Sequence, residues 1–438
     1  MSDRIIPLLV ISALLLLIDW YIFNAISEIR RNKAKKTNRF LNLIWWGYTA
    51  LLILGVFASI FFNLILSVRA IILVAFFITF VTKVFFLPFL FLDDIRRGIV
   101  WVRRKARYSK YKSAPEQGLQ SEGAEREQRA EHASLPERKE EEKISRSEFL
   151  VKAGIAVAAI PFASLTWGIV EGGYDYRIKR QTLYLPNLPK AFDGIKLGQI
   201  SDIHSGSFYN RKAVLGGVEM LLKEKPDFIF FTGDLVNNIA SEMKDYQDIF
   251  SKVKAPLGVF SVLGNHDYGD YYFGRDPSPA KAKNLAAIKS IHRTMGYDLL
   301  LNENRRLKVG GEEIAILGVE NWGAGRFVRH GRLDLAVKGT DDAPVKLLMS
   351  HDPSHWRAQI LNRPDIDVTF SGHTHGMQFG VRTKEYQWSP VQYIYKEWAG
   401  LYKEKTQQLY VNVGYGFLGY PGRVGILPEI TIFELKRS

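Results

Sequence analysis

The 438-residue sequence contains no cysteine. It therefore has no disulfide, no thiolate metal ligand and no cysteine nucleophile, so any metal site must use His, Asp, Asn or Glu side chains. A Gly-x-Ser-x-Gly nucleophile elbow is also absent, which removes a common signature of serine hydrolases. The lack of cysteine does not indicate a compartment, because an exported domain can fold without disulfides.

Acidic residues are in the minority, and the formal net charge is +14. An excess of this size on a folded domain is typical of nucleic-acid-binding proteins. Here, however, residues 1–112 carry +12, residues 113–148 carry −4 and the remaining 290 residues carry +6. The basic charge belongs mainly to the N-terminal part, and we expect no nucleic-acid partner.

The first 112 residues contain three apolar runs at 5–26, 40–62 and 69–92. Each run is long enough to cross a bilayer as a helix of about 20 residues. Basic residues follow the first run at 30–36 and the third at 96–105. Because basic flanks stay on the cytoplasmic side, the sequence predicts a three-span membrane unit with its N-terminus outside.

Two ionisable residues, Asp19 and Lys83, lie inside the predicted spans. Charged side chains in a bilayer are costly and often functional. Asp19, however, is close to the aromatic end of its span, and the long side chain of Lys83 is able to snorkel to the interface. We therefore interpret both as structural.

Residues 113–147 are rich in Glu, Arg, Ser and Gln and show no apolar periodicity, which is typical of a flexible charged linker. A fourth apolar run follows at 149–170. If this run spans the membrane, all later residues are extracytoplasmic. If it only lies in the interface, they stay cytoplasmic. We predict the first arrangement. The predicted domains are a three-span unit (1–112), a linker (113–147), a fourth transmembrane or anchor helix (148–172) and a catalytic domain (173–438).

Short apolar strands alternate with helical stretches from residue 183 onward. Helices are predicted at 212–223 and 279–292, and strands without metal donors at 313–319, 409–413 and 429–435. This alternation, with hairpin-like strands near the end, predicts a layered α/β domain in which two sheets pack together with helices outside.

Polar side chains follow five of the apolar runs. The runs lie at 195–200, 228–231, 259–263, 345–349 and 368–370. The polar residues after them are Asp202, His204, Asp234, Asn265, His266, Asp267, His351, His373 and His375. Strands that end in this way place oxygen and nitrogen donors along one edge of a sheet, where they are able to hold two divalent cations. A lone buried histidine would be weak evidence, but five such motifs predict one metal site.

As an ordered set, these motifs resemble those of the calcineurin-like metallophosphoesterase family, specifically its membrane-associated bacterial branch. D-x-H is Asp202-Ile203-His204, G-D is Gly233-Asp234, G-N-H-D is Gly264-Asn265-His266-Asp267, G-H-x-H is Gly372-His373-Thr374-His375, and His351 is the isolated metal histidine. The likeness extends from about residue 196 to the C-terminus. It implies a four-layer αββα sandwich, preceded in this chain by an N-terminal α-helical transmembrane region.

The resemblance also implies a role for each motif residue. Asp202, His204 and His375 would hold the first metal, Asn265, His351 and His373 would hold the second, and Asp234 would bridge them with one oxygen to each. His266 would face the substrate, to protonate the leaving oxygen or stabilise developing charge, and Asp267 would orient its ring. Mixed Asp, His and Asn donors favour Mn, Fe or Zn over Mg or Ca.

Two positions depart from the family pattern without removing a ligand. Asn237 stands where many relatives have a further Asp, and Met377 stands where a Gly is usual. The aromatic segment at 386–402 has three interpretations: an apolar wall for an acyl chain, a membrane-facing rim or ordinary core. The other histidines, His132, His292, His330 and His355, match no ligand spacing, and we predict structural or surface roles for them.

Two classes of function fit these observations. The first is a membrane-anchored phosphoesterase that uses metal-activated water to hydrolyse a phosphomonoester, diester or pyrophosphate, with a lipid-linked substrate suggested by the anchor. Some relatives split the pyrophosphate of a UDP-diacylglucosamine, a cytoplasmic reaction that conflicts with the extracytoplasmic placement. The second is a non-catalytic metal-binding sensor on a membrane unit. Because no predicted ligand is missing, we favour the enzyme.

Overall fold

A computed structural model of the protein describes residues 2–33, 39–62, 66–112, 146–325 and 327–438. The chain divides into two compact units, Met1–Ser164 and Leu165–Ser438. The predicted linker at 113–147, apart from its last two residues, and His132 lie outside the described residues. The predicted domain boundaries after residues 112, 147 and 172 remain predictions.

Four long helices precede the sheets: α1 (Ser2–Lys33), α2 (Arg39–Phe61), α3 (Leu66–Lys112) and α4 (Arg146–Trp167). Each contains a stretch that is long and apolar enough to cross a membrane, and the fourth stretch is Glu148–Val170. The predicted apolar runs are thus confirmed as helices. Helix α3 is longer than its run because the Arg and Lys residues that follow are good helix formers and continue it.

The second unit contains two six-stranded sheets and a two-stranded ribbon. Its strands are β1 (Arg177–Leu185), β2 (Lys196–Ile200), β3 (Phe228–Phe231), β4 (Val259–Ser261), β5 (Asp298–Leu299), β6 (Glu303–Val309), β7 (Glu312–Gly318), β8 (Lys346–Met349), β9 (Val368–Ser371), β10 (Val381–Arg382), β11 (Gln387–Trp388), β12 (Gly400–Glu404), β13 (Gln407–Val411) and β14 (Glu429–Arg437). Its α-helices are α5 (Arg211–Lys223), α6 (Gln247–Phe250), α7 (Asp270–Phe273), α8 (Pro279–Met295), α9 (Leu333–Ala336) and α10 (Ser354–Ala358), and a π-helical turn, Gly168–Gly172, continues α4.

The strand order brings the predicted motifs together. The first sheet has the order β1-β14-β2-β3-β4-β5, with β2 to β5 parallel. The second has the order β12-β13-β9-β8-β7-β6, with β13, β9, β8 and β7 parallel. In parallel sheets the carboxyl ends of the strands share one edge, and ligands bind just beyond that edge.

A continuous apolar core lies between the two sheets. Phe228 and Phe230 from β3 meet Leu347 and Phe370 from the second sheet there, with the rings of Phe230 and Phe370 5.2 Å apart. Helices α5 and α8 cover the outer face of the first sheet, and α9 and α10 cover that of the second. The predicted four-layer αββα sandwich is confirmed.

Candidate metal centre

The predicted ligands lie on the loops that leave the parallel strands. Asp202 and His204 follow β2, Asp234 follows β3, Asn265 follows β4, His351 follows β8, and His373 and His375 follow β9. Among them, Asp202, His204, Asp234, His373 and His375 have φ between 48° and 70°. A left-handed backbone costs an L-residue about 1–2 kcal/mol. Strain of this kind concentrates at functional sites.

The donor atoms form two groups. Asp202, His204 and His375 make the first, Asp234, His351 and His373 make the second, and the ligand atoms within each group lie within 4.8 Å of one another. Asn265 joins the second group, because its Oδ1 is 2.8 Å from His373 Nδ1. The grouping is the one that the resemblance implies. The role of each residue as a ligand remains a prediction.

Asp234 lies between the two groups. Its Oδ2 is 3.1 Å from His351 Nε2 and 3.5 Å from His204 Nε2. Its Oδ1 accepts the backbone N–H of His266 at 2.9 Å, and the expected bridge with one oxygen to each metal remains a prediction. Gly264 makes room for this arrangement, since a Cβ there would lie 2.1 Å from Asp234 Oδ1.

Several ring nitrogens at this centre are unpaired. Within the described part of the chain, both nitrogens of His204 and Nε2 of His375 are buried without a hydrogen bond, although His375 Nε2 faces Asp202 Oδ1 at 3.3 Å. A buried polar group without a partner costs about 1–3 kcal/mol. Unpaired imidazole nitrogens beside carboxylates therefore fit divalent cations, which when bound would supply an activated water and neutralise phosphoryl charge.

The protonation states of Asp202, Asp234 and His204 suit metal binding. Burial alone would raise the pKa of Asp202 and of Asp234, but the neighbouring histidines outweigh burial and lower the pKa of both carboxyls. Burial lowers the pKa of His204 well below 6.5, so its imidazole is neutral. Ionised carboxylates and neutral imidazoles are the forms that coordinate metals. At His351, burial alone would lower the pKa, but the Asp234 carboxylate outweighs burial and raises this pKa to about 10, so a cation would have to displace the His351 proton.

His266 is held by a backbone carbonyl. Its Nδ1 lies 2.7 Å from Asn237 O, and its ring stacks on Tyr271 with centroids 4.5 Å apart. The prediction that Asp267 orients this ring is wrong, because the Asp267 carboxylate accepts N–H groups of the surrounding loops. These belong to Gly264, Asp234, Leu235 and Val236. Since a carbonyl only accepts, the His266 Nδ1 carries a proton and Nε2 is left for the substrate side.

Two residues beside the ligands escaped the sequence analysis. The hydroxyl of Tyr395 lies 2.7 Å from His373 Nε2. It therefore fixes the orientation of the His373 ring, whose Nδ1 faces Asn265 Oδ1. Arg423 is 1% exposed and donates to the carbonyl of Val413 at 2.8 Å. Burial lowers the pKa of Arg423 to about 10. Tyr395 belongs to the aromatic segment noted above, but no motif marks either residue.

The other described histidines lie outside the cluster. His292 is buried on α8 with its Nδ1 3.0 Å from Ser261 Oγ. His355 is buried on α10 between Ser350 and Gln359. His330 stacks on Tyr268 with centroids 3.9 Å apart. These contacts fit the predicted structural or surface roles, which remain predictions.

Comparisons with known proteins agree with this geometry. Residues 195–377 match the family described as calcineurin-like phosphoesterase, and residues 3–173 match the family described as probable calcineurin-like phosphoesterase, transmembrane domain. The chain is similar to an uncharacterized metallophosphoesterase of Bacillus subtilis, YkuE, with 29% identity over 68% of this chain and 99% of that protein.

Other relatives are longer than the shared region. A transmembrane protein with metallophosphoesterase domain of Danio rerio is 26% identical over 62% of this chain and 60% of its own length. An uncharacterized metallophosphoesterase of Helicobacter pylori is 30% identical over 61% of this chain and 66% of its own length. The chain thus spans less than two thirds of these two relatives. The two family matches cover most of the sequence, and the chain belongs to the calcineurin-like metallophosphoesterase family.

Proposed function

We propose that this membrane phosphoesterase hydrolyses a phosphate monoester, diester or pyrophosphate bond at a two-metal centre that binds Mn, Fe or Zn. One observation carries the proposal: Asp234 Oδ2 faces a histidine of each donor group, at 3.1 Å and 3.5 Å. A carboxylate that lies between two sets of donors is suited to bridge two cations. A two-metal centre needs no nucleophilic side chain, which agrees with the lack of cysteine and of a serine elbow, and we assign water as the nucleophile.

The residues of the chain supply orientation and proton transfer. His266 lies beside the first donor group, with its ring 4.9 Å from that of His204. The carbonyl of Asn237 holds its Nδ1 proton. We propose that the His266 ring, as an imidazolium with its Nδ1 proton held by Asn237, gives its Nε2 proton to the leaving oxygen as the ester bond breaks and is left as the neutral ring.

We propose that the second compact unit, Leu165–Ser438, which we call the catalytic unit, is extracytoplasmic. The basic residues that follow the first and third spans favour this placement. Three basic residues, Arg177, Lys179 and Arg180, follow the fourth span and oppose it, but they are fewer than the ten basic residues at 30–36 and 96–105. A phospholipid or another extracytoplasmic phosphoester then fits better than a UDP-diacylglucosamine, which requires the cytoplasmic side.

Hydrolysis by the full chain in nanodiscs tests the reaction class. After loading with Mn, we expect turnover of p-nitrophenyl phosphate or of its bis ester. Asp234→Asn should lower turnover by on the order of 10³-fold, whereas Asp248→Asn, a control at an exposed carboxylate on α6, should not. A wild-type protein that binds metal but hydrolyses neither ester would favour the sensor.

A reporter enzyme fused after Ser438 tests the placement. Activity of an extracytoplasmic reporter is the expected result. A cytoplasmic readout would contradict the proposed side and would restore a nucleotide-linked lipid as the preferred substrate.

A further inference from the structure

Exposed apolar side chains are concentrated in the segment that follows the last predicted metal ligand. We call them the apolar rim: Met377, Phe379, Val381, Tyr386, Tyr393 and Ile394, which are between 41% and 77% exposed. The segment includes the ribbon of β10 and β11. Large apolar side chains that remain in water forgo the free energy of burial, and a cluster of them marks an interaction surface.

Met377 shows that this exposure is built into the backbone. It lies two residues after His375, has a φ of 48° and is 45% exposed. The left-handed conformation costs about 1–2 kcal/mol, and burial within the protein does not offset it. Backbone strain that holds an apolar side chain in an exposed position indicates a surface that contacts a partner outside this unit of the chain.

Hydrogen bonds join the rim to the end of the fourth span. Val424 N donates to Gln378 O at 2.7 Å, and Gly380 N donates to Val424 O at 2.9 Å. From the same loop, Arg423 N donates to Gly168 O at 3.1 Å. Hydrogen-bonded backbones lie about 5 Å apart, so the rim begins about 10 Å from the end of the span.

The end of the span presents an apolar surface of its own. Trp167 and Val170, both within Glu148–Val170, are each 67% exposed. Tyr209 fixes this end by donating its hydroxyl to Ile169 O at 2.6 Å. A spanning helix ends at the headgroup level, where Trp and Tyr collect. The nearby rim, which also contains Tyr, lies within reach of the same layer.

We infer that the apolar rim inserts into the lipid headgroup layer beside the fourth span, so that the metal centre opens at the bilayer surface. Lipid is the occupant because the rim is continuous with a membrane-capable helix and combines aromatic and aliphatic side chains. A metal centre that opens at the bilayer surface takes phosphoesters carried by membrane lipids. That second step rests on the proposed function, whereas the insertion of the rim does not.

The absence of cysteine allows each position to be labelled singly in the full chain. A polarity-sensitive fluorophore is attached to Tyr393→Cys, Ile394→Cys, Val170→Cys or Lys308→Cys in phosphatidylcholine vesicles, with and without nitroxide-labelled phosphatidylcholine. Lys308 is the control, because its side chain is 74% exposed and it pairs with Glu313 near the start of β7, away from the ligand edge.

The rim positions should be quenched by nitroxide lipid as strongly as position 170, and position 308 should not be. Quenching at 393 and 394 no greater than at 308 would overturn the inference. The inference would also be overturned if the fluorescence changed with protein concentration in the absence of nitroxide lipid. Such a change would assign the rim to contact between copies of the chain.

A second measurement addresses the substrate class. Tyr393→Asp/Ile394→Asp should release phosphate from phosphatidate in these vesicles about tenfold more slowly than the wild type, with unchanged turnover of p-nitrophenyl phosphate. The control Met220→Asp/Leu335→Asp changes two exposed apolar residues on α5 and α9 and should match the wild type. A wild type active only on the soluble ester would refute the lipid substrate. Inactivity on both would refute the proposed function, while the quenching result would still decide the insertion.

Discussion

Asp19 lies in the first compact unit, Met1–Ser164, which we call the helical unit, and Asp234 lies in the catalytic unit. Both are almost fully buried carboxylates, but their partners differ. Asp19 forms an ion pair with Lys83 and accepts a hydrogen bond from Thr49 Oγ1 at 2.6 Å. Asp234 faces His351 and His204, and the nitrogens of His204 have no hydrogen bond within the described part of the chain.

The difference separates a structural use of buried charge from a chemical one. A buried charge is tolerated when a neighbouring group neutralises it and further hydrogen bonds satisfy it. The cluster around Asp19 meets this condition from within the chain, so its role is to fix the helices. In the cluster around Asp234, both nitrogens of His204 stay without a hydrogen bond among the described residues, and bound cations would satisfy them. Lys83 also differs from our expectation, because it pairs with Asp19 and does not snorkel.

Breaking the ion pair should have the largest effect on stability. Lys83→Met leaves the Asp19 charge buried and unpaired, and we expect it to destabilise the helical unit by about 3–5 kcal/mol. Asp19→Asn/Lys83→Met removes both charges and should recover most of that loss. Unfolding of the full chain in detergent, followed by circular dichroism, measures both variants. Equal destabilisation by the single and double changes would contradict the pairing.

Metal removal should also lower the stability of the unit to which it applies, the catalytic unit, because a cation that binds only the folded form stabilises it. Free Mn at about 100 times its dissociation constant should stabilise this unit by about 2.7 kcal/mol relative to the chelated protein. Thermal unfolding with Mn or with a chelator measures the shift. Asp234→Asn should lose most of the shift, and Asp19→Asn should keep it. A shift of equal size in both variants would show that Mn binds elsewhere.

Tyr395→Phe should weaken metal binding without changing the fold of the metal-free protein. The change removes the hydroxyl 2.7 Å from His373 Nε2 but keeps the ring. Loss of a group that orients a histidine ligand lowers metal affinity about tenfold or more. Isothermal titration with Mn gives the affinity. Tyr386→Phe is the control, since Tyr386 is 59% exposed. If Tyr395→Phe bound Mn with unchanged affinity, the Tyr395 hydroxyl would make a packing contact only and would not orient His373.

The sequence predicts the strands better than it predicts the partners of the ligands. Strand β3 agrees with its predicted limits and β2 begins one residue later than predicted, because a buried apolar run bounded by polar motif residues is a local pattern. The Asp19–Lys83 pair is not local, and the group that orients His266 is a backbone carbonyl, that of Asn237. Neither leaves a signature in residue type or spacing.

His292 is a further buried ionisable group: its Nε2 has no hydrogen bond within the described part of the chain, and it lies outside both donor groups. Burial lowers its pKa to about 3, below the ordinary value of 6.5, so its contribution to stability is present above pH 6.5 and is lost as the pH falls towards 3. Between pH 7 and pH 5.5 this residue should therefore lower the stability of the catalytic unit by about 1 kcal/mol.

The variant His292→Phe isolates this effect from the acid sensitivity of the metal centre. It forgoes the contact with Ser261 Oγ but cannot take up a proton, so its unfolding free energy should fall less than that of the wild type between pH 7 and pH 5.5. Urea unfolding of the metal-free full chain at the two pH values gives the comparison. An equal fall in both proteins would place the acid sensitivity on other groups. A smaller fall in the variant would assign part of the acid sensitivity to His292, whose burial as a neutral imidazole lowers its pKa without any role for a cation.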